Sequence, residues 1–299
     1  MISIKNVSFG YEKNKEIIHK LCLEIEKGEC ILLCGESGCG KSTITKMMNG
    51  LIPHFTNCGY LNGTVSVGGL SVADSKLYEL SRQIGSVFQN PKSQFFYTES
   101  DGELEFALEN QGAEPDYIRQ RVRETTINLK IKHLRNRNVF TMSGGEKQLL
   151  AFASVYASDP QCFILDEPTA NLDNDTIEKL KNQIAVLKRQ GKTVIIAEHR
   201  LYFLTELIDR AIYIKNGTVD RVFSRDEFTA LSEKERIRMG LRTLKQIELT
   251  IPPVKAGETP NGLTVSDLCI RYKNGPYVIK KLSFAANAGE IIGITGNNG

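Results

Sequence analysis

No stretch of this sequence approaches the ~18 to 20 consecutive apolar residues that a bilayer-spanning helix requires. Met1 leads directly into the alternating Ile2, Ile4 and Val7, a pattern from which a strand rather than a signal peptide is expected. If a membrane is involved, other chains supply the span. A strong excess of one charge is also lacking. The 38 basic and 35 acidic residues leave a formal +3 with no long single-sign run, too little to argue for nucleic acid. Low-complexity tracts are absent, and 41% apolar with 24% charged residues is ordinary for a soluble, folded protein. Metal-clip spacing is missing as well. The seven cysteines, at positions 22, 30, 34, 39, 58, 162 and 269, include no Cys-x-x-Cys pair and have no neighbouring histidine cluster. That pattern argues against zinc and reads as free thiols in a reducing cytoplasm.

What is present is length for roughly two domains, 299 residues, and a repeating α/β pattern. Short apolar runs bounded by glycine or acidic residues recur at Cys30 to Cys34, Cys162 to Leu165 and Val194 to Ala197. Runs of this kind suit strands buried on both faces of a parallel sheet. Ile177, Leu180, Ile184 and Leu187 have the spacing of an amphipathic helix, and Gly191 is placed to end it before the Val194 strand. Residues ~90 to 158 carry helical pattern and no comparable strand run, which predicts a helical subdomain inserted in the sheet domain. Residues Leu263 to Gly299 align without a gap on Ile2 to Gly38 at a constant offset of 261. Nine of 37 positions are identical, among them Tyr11/Tyr272, Leu21/Leu282, Gly28-Glu29/Gly289-Glu290, Gly35/Gly296 and Gly38/Gly299. The second copy reaches only Gly299, three residues short of the position that would match Lys41. The expected organisation is one whole domain over 1–231, a connector over 232–261 containing Pro252-Pro253, and the first part of a second domain over 262–299.

Three motifs carry chemistry. Gly35-Glu36-Ser37-Gly38-Cys39-Gly40-Lys41-Ser42 follows a predicted buried strand and runs into a helical stretch from Thr43, the context a P-loop requires. Glycines let backbone N–H groups turn toward phosphate oxygens, Lys41 reaches the β and γ phosphates of ATP, and Ser42 can bind Mg²⁺. Cys39 reads as a small filler in that loop. Cys162 to Glu167 is an apolar strand ending in two acids. Such a pair can be a solvated turn; downstream of a P-loop, Asp166 is placed to hold Mg²⁺ and Glu167 to polarise an attacking water. Ser143-Gly144-Gly145-Glu146 then precedes a helical run, making a second anion-binding N-terminus or a plain cap.

Taken together, the three motifs resemble the ABC ATPase family over residues 1 to ~230, the tetrad after Met142 matching its signature. The resemblance implies a P-loop NTPase of ABC type with a mixed sheet core, an antiparallel β subdomain and an inserted helical subdomain. By resemblance, Gln89 is the Q-loop glutamine that senses Mg²⁺ and attacking water. Asn171-Leu172-Asp173 matches the D-loop, His199 the switch histidine at the γ-phosphate, and Tyr11 the aromatic on which adenine stacks. It also implies that two domains close head to tail, each ATP lying between one P-loop and the other domain's signature, with Ser143, Gly144, Gly145 and Asp173 on the facing side.

Two positions depart from the pattern: Glu146 stands where glutamine is common, and Leu149 where arginine is frequent. The strings Gly85 to Phe96, Glu105 to Asn110 and Ala197 to Leu201 look like energy-coupling-factor importers for vitamins and transition metals. That likeness implies a transmembrane transporter subunit as partner, a peripheral place on the cytoplasmic face of the cell membrane, and Phe95, Phe96 and Tyr97 as candidates for docking it. The other reading of those aromatics is packing into the helical subdomain. Soluble tandem ABC proteins acting on ribosomes are the competing class, against which the short connector with Pro252-Pro253 argues. Chromosome and DNA-repair ATPases would need a long insertion where only about 53 residues separate Gln89 from Ser143.

Overall fold

The structure, a computed structural model, describes residues 1–56, 59–170, 172–245, 262–272 and 277–294. Cys58, Asn171, Pro252-Pro253, Gly296 and Gly299 lie outside the described residues. The chain divides into two compact units, Met1–Gln246 and Ile247–Gly299.

The first unit runs β1 (Ile2–Gly10), β2 (Ile18–Ile25), β3 (Cys30–Cys34), α1 (Lys41–Met48), α2 (Leu51–His54), β4 (Tyr60–Val67) and β5 (Leu70–Ser71). It continues with α3 (Leu77–Gln83), β6 (Ile84–Val87), α4 (Ser100–Asn110), α5 (Pro115–Asn128), α6 (Gly144–Ala157) and β7 (Cys162–Asp166). It ends with α7 (Asn174–Arg189), β8 (Thr193–Ala197), β9 (Arg210–Lys215), β10 (Thr218–Ser224), α8 (Arg225–Thr229) and α9 (Glu233–Arg238). A six-stranded sheet has the order β10-β9-β3-β8-β7-β6. Its strands from β9 to β6 are parallel and β10 pairs antiparallel, so the sheet is mixed. The other sheet, β2-β1-β4-β5, is antiparallel throughout.

The apolar runs become strands between two layers because side chains alternate faces with period two. On β3, Cys30, Leu32 and Cys34 enter one core while Ile31 and Leu33 enter the other; β7 and β8 divide in the same way. The first core lies under α4–α7, and the second lies against the antiparallel sheet and α1. Burial pushes the Cys30, Cys34 and Cys162 thiols up to about 12, so these three are packing residues rather than nucleophiles.

β7-α7-β8 is a strand-helix-strand unit. Asp173 caps α7 by accepting the Thr176 N–H at 2.8 Å. Ile177, Leu180, Ile184 and Leu187 are buried, each contributing roughly 1.5–3 kcal/mol by leaving water. Gly191, at φ 68°, turns the chain out of the helix into β8, a conformation that suits glycine. Residues 90–158 hold α4, α5 and α6 and contribute no strand to either sheet.

The connector expected from residue 232 begins later. Met239 and Leu241 are buried in the first core and the Tyr213 hydroxyl donates to the Met239 carbonyl at 3.0 Å, so residues 232–245 pack with the first unit.

In the second unit, β11 (Leu263–Arg271) and β12 (Tyr277–Ala286) form an antiparallel hairpin. Leu263↔Ala286, Val265↔Phe284, Leu268↔Leu282 and Ile270↔Ile279 repeat the β1–β2 pairs Ile2↔Ile25, Ile4↔Leu23, Val7↔Leu21 and Phe9↔Ile18 at the same offset of 261. The bulges fall at matching places, with Asn6 and Lys20 at φ 49° and 43° and Asp267 and Lys281 both at φ 48°.

Candidate functional site

Four adjacent parallel strands, β3, β8, β7 and β6, end at one edge of the sheet, and the residue runs that follow them carry Lys41, His199, Asp166-Glu167 and Gln89. Ligands bind at such carboxyl edges because the loops there converge while the strands stay rigid. The P-loop wraps after β3. Gly35 has φ 146°, and a Cβ there would stand 2.3 Å from the Ile214 carbonyl, so only glycine fits this turn. Gly40, at φ 107°, is the N-cap of α1. Glu36, Ser37 and Gly38 are exposed, whereas Lys41 is buried. Its ammonium donates to the Gly35 and Glu36 carbonyls at 3.0 and 2.9 Å and lies 3.7 Å from Cys39 Sγ. That places a buried positive charge under the loop where a phosphate would sit.

The Ser42 hydroxyl donates to Asp166 Oδ1 at 3.0 Å across 124 residues of sequence. Burial pushes the Asp166 carboxyl above its ordinary range; the Ser42 bond opposes this and the neighbouring Glu167 charge adds to it. A hydroxyl and a carboxylate so placed are hard oxygen donors, the type a small divalent cation such as Mg²⁺ takes.

Glu167 stands at φ 45°, with its N–H bonded to the Ala197 carbonyl at 2.8 Å. A non-glycine residue held there stores of order 1–3 kcal/mol of strain, which recurs at functional positions. Gln89 Nε2 donates to its Oε2 at 3.0 Å, and His199 Nε2 lies 3.3 Å from its Oε1. A carboxylate only accepts, so His199 Nε2 carries the hydrogen in this pair. Burial, then the charge of Lys41, hold the His199 pKa below its ordinary value, which favours the neutral imidazole. The structure therefore brings Ser42, Asp166, Glu167, Gln89 and His199 into one cluster. Thr43 meets Tyr11 beside it: the two hydroxyls are 3.3 Å apart, and the Tyr11 ring packs edge-on against Phe9.

Ser143, Gly144 and Gly145 start α6 and have no hydrogen bond or ion pair to this cluster among the described residues. Ser143 and Glu146 close a capping box, at 3.2 and 2.9 Å, and Arg137 donates both Nη atoms to the Glu146 carboxylate. The acid in place of glutamine thus fixes the helix start through an ion pair. The second departure, Leu149, is a buried core residue. A Cβ on Gly145 would stand 2.8 Å from Thr176 Oγ1, so glycine here lets α6 approach the start of α7 and the Asp173 cap. A Cβ on Gly144 would meet nothing within 4 Å.

Sequence reasoning assigned no role to Thr169, Glu198 or Arg200, which bond one another's loops behind the cluster. The signal was a buried acid directly after the apolar β8, in a place where acids are rare.

The family model described as ABC transporter matches residues 18–170. A putative ABC transporter ATP-binding protein of Treponema denticola is 41% identical over 308 residues, covering 100% of this chain and 62% of that protein. One from Pyrococcus furiosus is 35% identical over 219 residues, covering 73% of this chain and 82% of its own length. The structure of CbiO1 from Clostridium perfringens, part of the ABC transporter complex cbiONQ, superposes with TM-score 0.69 and 28% identity, covering 79% of this chain and 92% of that one. A dimeric ATP-binding cassette, MJ0796, in a post-hydrolysis state bound to ADP and Pi, gives TM-score 0.66 and 26% identity, covering 75% and 99%. The chain spans 62% of the length of the Treponema relative. With the site geometry, the family match and these relatives in agreement, the chain belongs to the ABC transporter ATP-binding family.

Proposed function

We propose that the first unit binds ATP with Mg²⁺, hydrolyses it when paired with a second ABC ATPase domain, and so powers a membrane importer of the energy-coupling-factor type. The observation that carries the chemistry is the joint hold of Gln89 and His199 on Glu167 beside the Ser42–Asp166 bond. Tyr11 lies where an adenine ring stacks, and Lys41 with the loop N–H groups receives the phosphates. Ser42 and Asp166, with Gln89, would hold Mg²⁺, which when bound spreads the charge of the phosphate oxygens. Glu167 accepts a hydrogen bond from the attacking water and Gln89 fixes the carboxylate's orientation. Neutral His199, its one N–H at Nε2 turned to Glu167, keeps that carboxylate on the γ-phosphate side. Water oxygen attacks phosphorus as the β–γ bridging bond breaks, giving ADP and inorganic phosphate, with the water's proton leaving by way of Glu167.

Gly144 supports pairing. Its backbone does not require glycine and no neighbour in the chain would meet a Cβ, so the missing side chain suits the approach of another molecule. The nucleotide bound by a second domain, at the N-terminus of α6, is the occupant that fits. Residues 262–299, whose β11–β12 hairpin repeats the β1–β2 register, are proposed as the opening of a second domain of this kind.

The importer reading is supported by a cavity of 410 Å³ between β6, α4 and α6, lined by Tyr78, Gln94, Phe96, Glu103 and Phe106. Phe96 is 72% exposed and stacks on Phe106 at 4.5 Å; Tyr97 meets Phe106 edge-on. The buried Glu103 carboxylate accepts the backbone N–H groups of both Phe96 and Tyr97 and pins the pair outward. Phe95 packs inward on the core, so the aromatic triplet divides, leaving Phe96 and Tyr97 for a partner helix. No described helix is long and apolar enough to cross a membrane. On this reading the chain sits peripherally on the cytoplasmic face, beside a transmembrane subunit.

The test is ATP turnover across a range of protein concentration, with Glu167→Gln as control, together with fractionation of cells expressing the protein. Turnover per chain that rises with concentration and disappears in the control supports the paired ATPase. Recovery with membranes that is lost in the Phe96→Ser, Tyr97→Ser variant supports the importer; recovery with ribosomes overturns it.

A further inference from the structure

Glu198 is 3% exposed, and among the described residues no cation pairs with its carboxylate. Its four lone-pair sites are nonetheless filled. Oε2 accepts the Thr169 N–H at 3.2 Å and the Thr169 hydroxyl at 2.6 Å. Oε1 accepts the backbone N–H groups of His199 at 2.7 Å and Arg200 at 2.9 Å. The Glu198 N–H is in turn tied to the Leu33 carbonyl on β3 at 3.3 Å. One carboxylate therefore fastens the turn after β7, two residues beyond Glu167, to the turn after β8 that carries His199. Arg200 extends the fastening, its Nη1 donating to the Leu172 carbonyl at 2.9 Å, immediately before the Asp173 cap of α7.

We infer that Glu198 is a positioning residue for hydrolysis, locking the Glu167 turn, the His199 turn and the start of α7 into one rigid unit. Three observations carry this. The acid is buried where an apolar residue would pack at no desolvation cost, so its polar contacts are the reason for its presence. All of its donors belong to two catalytic turns and none to the core. The β7–β8 ladder ends at Asp166↔Ala197 and one further backbone bond joins Glu167 N–H to Ala197 O; beyond these, the Glu198 carboxylate fastens the described turns that set the His199–Glu167 contact at 3.3 Å. The inference rests on the reading of Glu167 and His199 given above.

Glu198→Gln breaks one half of the staple, because an amide offers one accepting oxygen and turns an N–H toward the other pair of donors. Thr169→Val removes the hydroxyl donor at constant shape, and Thr169→Ser restores it, which keeps the test sharp if Glu198→Gln folds poorly. The whole 299-residue chain is assayed at saturating ATP, with nucleotide affinity measured by a fluorescent ATP analogue. The expected result is a kcat lowered about ten- to a hundredfold in Glu198→Gln with nucleotide affinity within about twofold of the parent. Thr169→Val is expected to lose roughly tenfold and Thr169→Ser to recover most of it. Glu198→Gln should add little to His199→Ala, since both act through the same contact. Unchanged kcat in folded Thr169→Val and Glu198→Gln, equal loss of affinity and turnover, or full additivity with His199→Ala would each overturn the inference. A Glu167→Gln control that still turns over would instead remove the reading on which it rests.

Discussion

The β1–β2 and β11–β12 hairpins pair in one register, bulge at matching residues and place the same two positions at positive φ, yet Leu21 is 1% exposed and its counterpart Leu282 is 41% exposed. Even their side-chain locks correspond. Ser8 Oγ accepts the Lys20 N–H at 3.0 Å where Cys269 Sγ accepts that of Lys281 at 3.2 Å. Cys22 Sγ accepts the Asn6 N–H at 3.3 Å where Ser283 Oγ accepts that of Asp267 at 2.9 Å. Serine and cysteine have exchanged places and the geometry has survived, because either can accept from a bulged backbone N–H. Hairpin form is thus written locally, in alternation and bulge positions. Burial and chemistry come from what packs on the hairpin: in the first unit, Ile31, Ile44, Met47 and Val67 cover it.

Glu167→Gln tests the chemistry proposed for the first copy most severely. Phosphate release should fall by roughly two to four orders of magnitude, the range spanned by loss of a positioned proton acceptor. Retained turnover would place chemistry elsewhere. The leucine pair gives the next largest effect. Leu21→Ala should destabilise the first unit by about 2–5 kcal/mol in urea unfolding, whereas Leu282→Ala should cost less than about 1 kcal/mol. Equal costs would break the contrast in burial.

Asp166 separates function from stability within the first copy. Its carboxyl is held above the ordinary aspartate range, so the folded state binds its proton more tightly than the unfolded chain does. Stability is therefore lost as pH rises through the window between the two values, and at neutral pH the ionised group is a burden. Asp166→Asn should raise unfolding stability by about 0.5–2 kcal/mol at pH 7 while abolishing turnover, and the gain should shrink on acidification. A loss of stability at pH 7 would refute the sign. Smallest of all is the lock: Ser8→Ala should cost about 0.5–1.5 kcal/mol, and Cys269→Ala only a few tenths.

Much of this was legible in the residues. The short continuous apolar runs at Cys30, Cys162 and Val194 are neighbouring strands, and Gly35, Gly38 and Gly40 form the loop that enters α1. The boundary near 232 was misplaced because α9 is polar in sequence, and only packing shows Met239 and Leu241 entering the core. The aromatic triplet was ambiguous for the same reason: exposure of Phe96 and Tyr97, and not of Phe95, depends on Glu103 and Phe106 a helix away.

Local interactions fix what the sequence by itself determined: strand alternation, helix caps, the P-loop turn and the repeated hairpin, each set by residues within a few positions of one another. Tertiary structure alone decided the site. Ser42 meets Asp166 across 124 residues, Gln89 meets Glu167 across 78, and Glu198 reaches back to Thr169 across 29. Those distances close only because the order β3-β8-β7-β6 brings separate strand ends to one edge, and strand order is set by packing of the whole sheet, which no local pattern encodes.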